Sequence, residues 1–365
     1  MTTVCTFLEF LIIFVLTVMC QKGIDIIEED WLNEYGREVL ERLLWEHSRP
    51  QYKGEDGEMH HHHIYWATDM YEQEGDGFGF FDEIQIENVT GKYRTLVRPR
   101  ADKSKEEQEK RTRDKAEVFT PSWVCNAQNN LIDEAWFGRK DVFNHENDDH
   151  TWTPTEGKIE FPEGKTWKDY VCDTRLEITC GEAPYLASPY DTTTGAPIPL
   201  HNRIGLLDRK LRVVGENVET SGDWIFWAKC ALKYTYGFEW QGDNLLLARE
   251  SLLKTFIEYY AAFAMEHQLP TTRLRVDTMQ TAAYIISWNV WQMDGLNQTL
   301  PRSGEHENEV VQAQSLFDVV PVTDEYNEIQ RKKIYAQIAE WHRDSEYDRK
   351  TLPFISLLTN SNKKK

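Results

Sequence analysis

Arg175-Leu-Glu-Ile-Thr-Cys-Gly-Glu-Ala-Pro-Tyr-Leu186 is the stretch whose reading decides the fold. A short apolar strand meets an acid at Glu177, breaks into a Cys180-Gly181 turn, and restarts at Pro184-Tyr185-Leu186. Glycine tolerates positive φ, so a strand ending in a glycine turn is how an α/β domain brings its backbone against a small ligand. An ordinary strand–turn has the same local pattern. What separates the two is the sequence on either side.

The chain has 365 residues, the length of two to three domains or of one large domain with additions. It is rich in Trp and Tyr and long enough to bury a sizeable core. The net charge of −20 excludes a protein that coats nucleic acid with its whole surface. Any DNA contact is therefore local or supplied by a partner. Cys5, Cys20, Cys125, Cys172, Cys180 and Cys230 form no CxxC pair and no dense framework, which argues against a zinc ribbon or a disulfide scaffold. A reducing, cytoplasmic setting is the expectation. Val4–Cys20 is a nearly continuous apolar run broken by Glu9, short for a spanning helix and without a basic residue ahead of it. A membrane anchor, a signal segment and a misassigned start all fit it, and the last is favoured.

Read in order, the chain divides into an apolar extension (1–23), an α+β region (24–115), an α/β domain (116–300) and a helical C-terminal segment with a polar tail (301–365). Helical spacing over Ile26–Trp45 predicts an amphipathic helix. His60–His63 are adjacent, so in a strand their side chains alternate faces and converge poorly on one metal ion; none is expected. Phe78–Val97 alternates around Thr90-Gly91 and predicts a β-hairpin. Lys92–Lys115 holds ten Lys/Arg against five acids, a local +5 in an acidic protein. A solvated helix face and a phosphate-contacting element both fit it, the latter through Arg98, Arg100, Lys103, Lys105, Lys110, Arg111 and Arg113. Asn144–Phe161 and Tyr190–Arg203 read as loops. Thr220–Leu232 and Asn244–Phe263 read as helices, the second apolar on all sides and so placed against a sheet. Gln330–His342 reads as an amphipathic helix.

Three further stretches stand in a definite order around the first. Glu117-Val-Phe-Thr-Pro-Ser-Trp-Val124 has Thr120 suited to an N-cap and Pro121 to the first helical position, leaving backbone N–H groups that can hold a carboxylate. Tyr236-Gly-Phe-Glu239 precedes the long helix with its Leu247-Ala-Arg-Glu250, and an acid at a second strand's end is the usual partner of ribose hydroxyls. Tyr284–Leu296 is an apolar run ending in Gln292-Met-Asp-Gly-Leu296, where Asp294 stands at the end of a third strand.

The order Phe-Thr-Pro, Leu-Glu-x-x-Cys-Gly, Gly-x-Glu with Leu-Ala-Arg-Glu, and Gln-x-Asp-x-Leu resembles the adenine-specific DNA methyltransferases, in particular the modification subunits of restriction–modification systems. The resemblance covers roughly 116–296. It implies a Rossmann-like domain that binds S-adenosylmethionine. Phe119, Thr120 and Pro121 would close over the methionine part of the cofactor, and Glu177, Cys180 and Gly181 would form the turn at the first strand. Glu239 would hold the ribose, and Asp294 would face the adenine. Double-stranded DNA, with a restriction endonuclease or specificity subunit, would be the partners. Two departures stand out. The family's second glycine is Ala183, followed by Pro184, with Glu182 before it. No Asn-Pro-Pro-Tyr or Asp-Pro-Pro-Tyr occurs, the motif that holds the flipped adenine in the family; Leu316-Phe-Asp-Val-Val320 resembles the strand leading to it. The catalytic residues are therefore not identified. A non-catalytic subunit that holds DNA or a nuclease on a degenerate methyltransferase fold is the alternative.

Overall fold

A computed structural model describes residues 33–115, 120–303, 333–345 and 347–361. Phe119, the Val4–Cys20 run and Leu316–Val320 lie outside them. Among the described residues, no helix is long and apolar enough to cross a membrane.

The centre is α7 (Gly242–Glu266), whose Leu245, Leu246, Leu252, Leu253 and Phe256 are all buried. Its first residue must be glycine. The Gly242 N–H donates to Trp66 O (2.8 Å), and a Cβ there would lie 2.0 Å from Tyr65 O. Three strands lie side by side in one parallel sheet, β7 (Arg175–Glu177), β8 (Thr235–Glu239) and β9 (Val290–Gln292), in that order. Glu177 pairs with Gly237, and Glu239 with Gln292. Parallel neighbours need long crossovers. Here α5 (Leu206–Gly215) and α6 (Ser221–Lys233) join β7 to β8, and α7 and α8 (Val276–Asn289) join β8 to β9. Thr220 caps α6 by accepting from the Asp223 N–H at 3.1 Å.

The remaining strands form small antiparallel pairs: β1 (Trp45–Glu46) with β4 (His62–His63), β2 (Tyr52–Lys53) with β3 (Met59–His60), and β5 (Asn144–Glu146) with β6 (Trp152–Pro154). The last pair is β10 (Gln337–Trp341) with β11 (Arg349–Pro353). Helices α1 (Arg37–Leu44), α2 (Lys105–Lys115), α3 (Ser122–Phe137), α4 (Trp167–Val171) and α9 (Ile355–Ser361) complete the described elements. One apolar cluster runs from Tyr35 on the N-terminal side, through α5 to α8, to Trp341 in β10.

Three expectations need correction. Gln330–His342 is not a helix over its described residues, 333–342: Gln337–Trp341 is a strand, with Ile338, Ala339 and Trp341 buried. Ile338 packs with Phe238, Trp291 and Met293, so tertiary pairing overrides a helix-compatible pattern. Phe78–Val97 is not a hairpin. Its residues 80–84 pair back to 64–67, through Ala67 N–H to Phe80 O (2.9 Å) and Ile84 N–H to Ile64 O (2.9 Å), and 3₁₀ turns follow at Ile86–Asn88 and Gly91–Tyr93. Asn144–Phe161 is not wholly loop, since it contains the β5–β6 hairpin. In the α1 region Gly36, at φ 85°, separates helical residues 33–35 from the helix Arg37–Leu44.

Three helices run into strands with almost no linker: α1 into β1, α6 into β8 and α8 into β9. Buried side chains complete the carbonyls there. Arg249 of α7, 1% exposed, donates to Leu43 O, to Trp45 O (3.0 Å), to Ser287 O (3.0 Å) and to Val290 O (2.7 Å). Lys210 donates to Asp173 O (2.6 Å) and Tyr234 O (2.8 Å), and Asn289 to Leu232 O (2.8 Å) and Lys233 O (2.9 Å). Burial pushes the Arg249 guanidinium down to about 9 and the Lys210 ammonium well below its ordinary value. Each buried carbonyl left unpaired costs about 1–3 kcal/mol. Arg249→Met strands four of them, and a loss of at least about 3 kcal/mol is expected in urea unfolding, read from the midpoint at unchanged slope.

Candidate functional site

The C-terminal ends of β7, β8 and β9 are tied together through one turn. Glu177 closes β7, and its carboxylate accepts from the N–H groups of Leu186 (3.2 Å) and Tyr185 (3.5 Å), folding residues 178–184 back over the strand end. Within this turn Thr179, Gly181 and Ala183 have φ of 48°, 55° and 60°. Left-handed non-glycine residues cost of order 1–3 kcal/mol each and persist only where their surroundings hold them. Cys180 N–H donates to Phe238 O (2.8 Å), and Gly181 N–H donates to Glu239 Oε2 (2.9 Å). Ala183 N–H donates to Cys180 O (2.7 Å). The turn is strained and well anchored.

Glu239 ends β8 and is buried. Besides Gly181 it accepts from Gln241 N–H (3.2 Å) at the start of α7. Burial raises its carboxyl above the usual range, and the N–H bonds partly offset this. Burial drives Glu177 well above that range, and the charge of Glu239 adds to the effect. Asp294 lies two residues past β9. It is turned onto its own loop, accepting from Leu296 N–H (2.7 Å) and Asn297 Nδ2 (2.9 Å). The neighbouring Met293 N–H donates to Glu239 O (3.0 Å).

The helix that follows Thr120 and Pro121 is tied to this turn by Asn129, whose Nδ2 donates to Tyr185 O (3.0 Å). Pro121, rather than Thr120, is the N-cap of α3. The N–H of Ser122 is held by Asp191 Oδ2 (2.8 Å) from the 190–203 loop. The chain thus places its own carboxylate at the helix start, a role that the sequence left open for a ligand. The cluster therefore joins Glu177, Cys180, Gly181 and Glu239, with Asp294 and the start of α3 at Thr120 and Pro121 at its margins. Asp191 and Tyr185 are additions that no local pattern marks. Glu182 is directed elsewhere: it is buried, accepting from Arg100 N–H (2.7 Å) and the Tyr190 hydroxyl (2.8 Å).

The basic segment divides in two. Lys103 and Arg111 are buried around Asp243 of α7, with Arg111 Nη2 at 2.7 Å and Lys103 Nζ at 3.7 Å, and the Tyr71 hydroxyl donates to the same carboxylate at 2.7 Å. The expectation that these two contact DNA phosphate is corrected: Arg111 ties α2 to α7, and Lys103 ties the turn before α2 to the same helix. Arg98 pairs with Glu107 (3.0 Å) and Arg100 donates to Thr112 Oγ1 (3.0 Å), while Lys105, Lys110 and Arg113 are exposed along α2.

The four histidines each meet a different partner. His60 meets Asp56, His61 stacks on Trp45, His62 meets Glu83 and His63 meets Ile84 O. Among the described residues, no group of three or more His, Cys, Asp or Glu is placed to hold a metal ion. A cavity of about 1050 Å³ lies elsewhere, between α5, α7 and residues 197–203, and none of the strand-end residues lines it. Compared with family models, curated proteins and solved structures, the chain matches none.

The raised carboxyl of Glu177 sets a pH dependence. A folded-state value above the unfolded one, about 4.3, gives stability that is complete below the unfolded value and is lost as pH rises through the folded one. Glu177→Gln stays neutral throughout. The melting temperature of the variant minus that of the wild type is therefore expected to climb between pH 5 and pH 8. A difference constant over that range would show that Glu177 is not held protonated by burial.

Proposed function

We propose that the ends of β7, β8 and β9 form an S-adenosylmethionine site on a Rossmann-like domain. In this reading the chain is a DNA adenine N6-methyltransferase or the modification subunit of a restriction–modification system. The observation that carries it is the link from Gly181 to Glu239. A positive-φ glycine turn after one strand lies beside an acid ending the next parallel strand, two features that nucleotide-binding α/β domains share.

The residues present fit the cofactor. Each carboxylate oxygen accepts about two hydrogen bonds, so Glu239 retains capacity for a ribose diol beside Gly181 and Gln241. Thr120 and Pro121 would border the methionine part, Cys180 and Gly181 would lie against its backbone side, and Asp294 would border the adenine. When bound, the cofactor supplies an electrophilic methyl group on sulfur. The protein's part is to align the target amine and exclude water. Lys105 and Lys110 are exposed on α2 and would be the cations to meet DNA backbone.

The second reading, a non-catalytic DNA- or nuclease-binding subunit, is supported by the missing Asn/Asp-Pro-Pro-Tyr tetrapeptide. Calorimetric titration of S-adenosylmethionine into the full chain separates binding from its absence. The wild type is expected to bind, and Glu239→Ala to bind at least about tenfold more weakly, a loss of ~1.4 kcal/mol. No heat of binding at high protein concentration would remove the cofactor from the proposal. Binding without methyl transfer to DNA would favour the non-catalytic subunit.

A further inference from the structure

The cavity between α5, α7 and residues 197–203 holds about 1050 Å³, at the upper end of the roughly 300–1,000 Å³ that small-molecule sites span. Interiors leave few voids larger than a water molecule, so this is not a packing defect. Its cause is legible in α7. That helix fills most of its surroundings with Leu and Phe, but the line facing the cavity reads Glu258, Ala262 and Glu266, four residues apart. The short side chain of Ala262 leaves the space open. The other walls include Phe143, Leu200, Leu211 and Trp224, with Pro154, Pro197 and Pro199 fixing the loops around them. Glu156, Lys158 and His201 are exposed and connect the cavity to solvent.

The arginines along the wall are already matched with acids. Arg203 pairs with Glu258, Arg212 with Glu216 (2.7 Å) and Arg209 with Asp133 (2.6 Å). No unmatched arginine therefore waits for an ionic ligand. What is left over is one donor and one acceptor. Arg203 and Asp208 both line the cavity and are 7% and 0% exposed. Arg203 Nε donates to Ile198 O (3.2 Å), and Asp208 Oδ2 accepts from Ser188 N–H (2.8 Å). Arg203 Nη1 and Asp208 Oδ1 have no hydrogen-bond partner among the described residues and stand 4.0 Å apart, beyond each other's reach. A hydroxyl both donates and accepts, so it suits this pair. A carboxylate would meet Asp208, and an ammonium would meet Arg203. We infer that the cavity is a binding site for an uncharged, mainly apolar small molecule. The inference is independent of the S-adenosylmethionine reading, since no strand-end residue lines the cavity.

Fluorescence titration of the full chain with N-phenyl-1-naphthylamine, an uncharged probe that brightens on leaving water, tests this. The comparison is 1-anilinonaphthalene-8-sulfonate, the same rings carrying an anion. The uncharged probe is expected to bind saturably and to raise the melting temperature, and the sulfonate to bind at least about tenfold more weakly. Ala262→Trp fills the space, and Leu200→Asp places a charge on an apolar wall from a half-buried loop position. Each is expected to weaken the uncharged probe at least about tenfold. Leu200→Asp, which leaves the helices untouched, decides the matter if Ala262→Trp fails to fold. Absence of a fluorescence rise at ~100 μM protein overturns the inference. So does a sulfonate bound as tightly as the uncharged probe, or probe binding indifferent to Leu200→Asp.

Discussion

The guanidinium of Arg249 is the group on which the arrangement turns. Helix ends leave four carbonyls without intrahelical partners, and most proteins complete them with a loop, a glycine cap or water. Here α1 and α8 pass directly into strands beneath α7, where water has no place. One planar cation with five donors serves Leu43, Trp45, Ser287 and Val290 together. The positive charge also sits at the negative ends of two helix dipoles, which offsets part of its desolvation. Lys210 and Asn289 do the same at the α6–β8 junction, and the Asn289 side-chain oxygen also accepts from Trp341 Nε1 (2.7 Å), holding the C-terminal hairpin to the same joint.

This economy of connections sets the geometry above the sheet. Strands β7 and β9 have three residues each, so their ends lie close to the helix junctions below and are fixed with them. The strand ends then organise residues 178–184 largely by main-chain donors: Gly181, Tyr185 and Leu186 give their N–H groups to two acids. Glu177 and the buried Glu239 both have raised affinity for protons, and the charge of Glu239 contributes to the effect at Glu177.

Much of this was legible in the residues. The α7 helix announced itself by being apolar all round, and α6 by Thr220. The acids at Glu177 and Glu239 stand out because each follows a short apolar run and precedes a glycine or a helix start. What escaped reading depended on partners far away in sequence. Lys103 and Arg111 look like surface charge until Asp243, more than a hundred residues later, meets them. Gln337–Trp341 has helical spacing but finds a strand partner in Arg349–Pro353. No local pattern marked which residues of α3 lie inside, because Asn126, Asn129 and Asp133 are buried only where distant groups such as Asn144, Tyr185, Tyr170 and Arg209 satisfy them.

Glu182 stands at the meeting point of three segments. One oxygen holds the Arg100 main chain at the head of the basic region, the other holds Tyr190, and its neighbour Gly181 is bonded to Glu239. Glu182 thereby fastens residues 98–103 and the 190–203 loop to the turn that follows β7, so that a substitution at this one buried side chain loosens three segments at once.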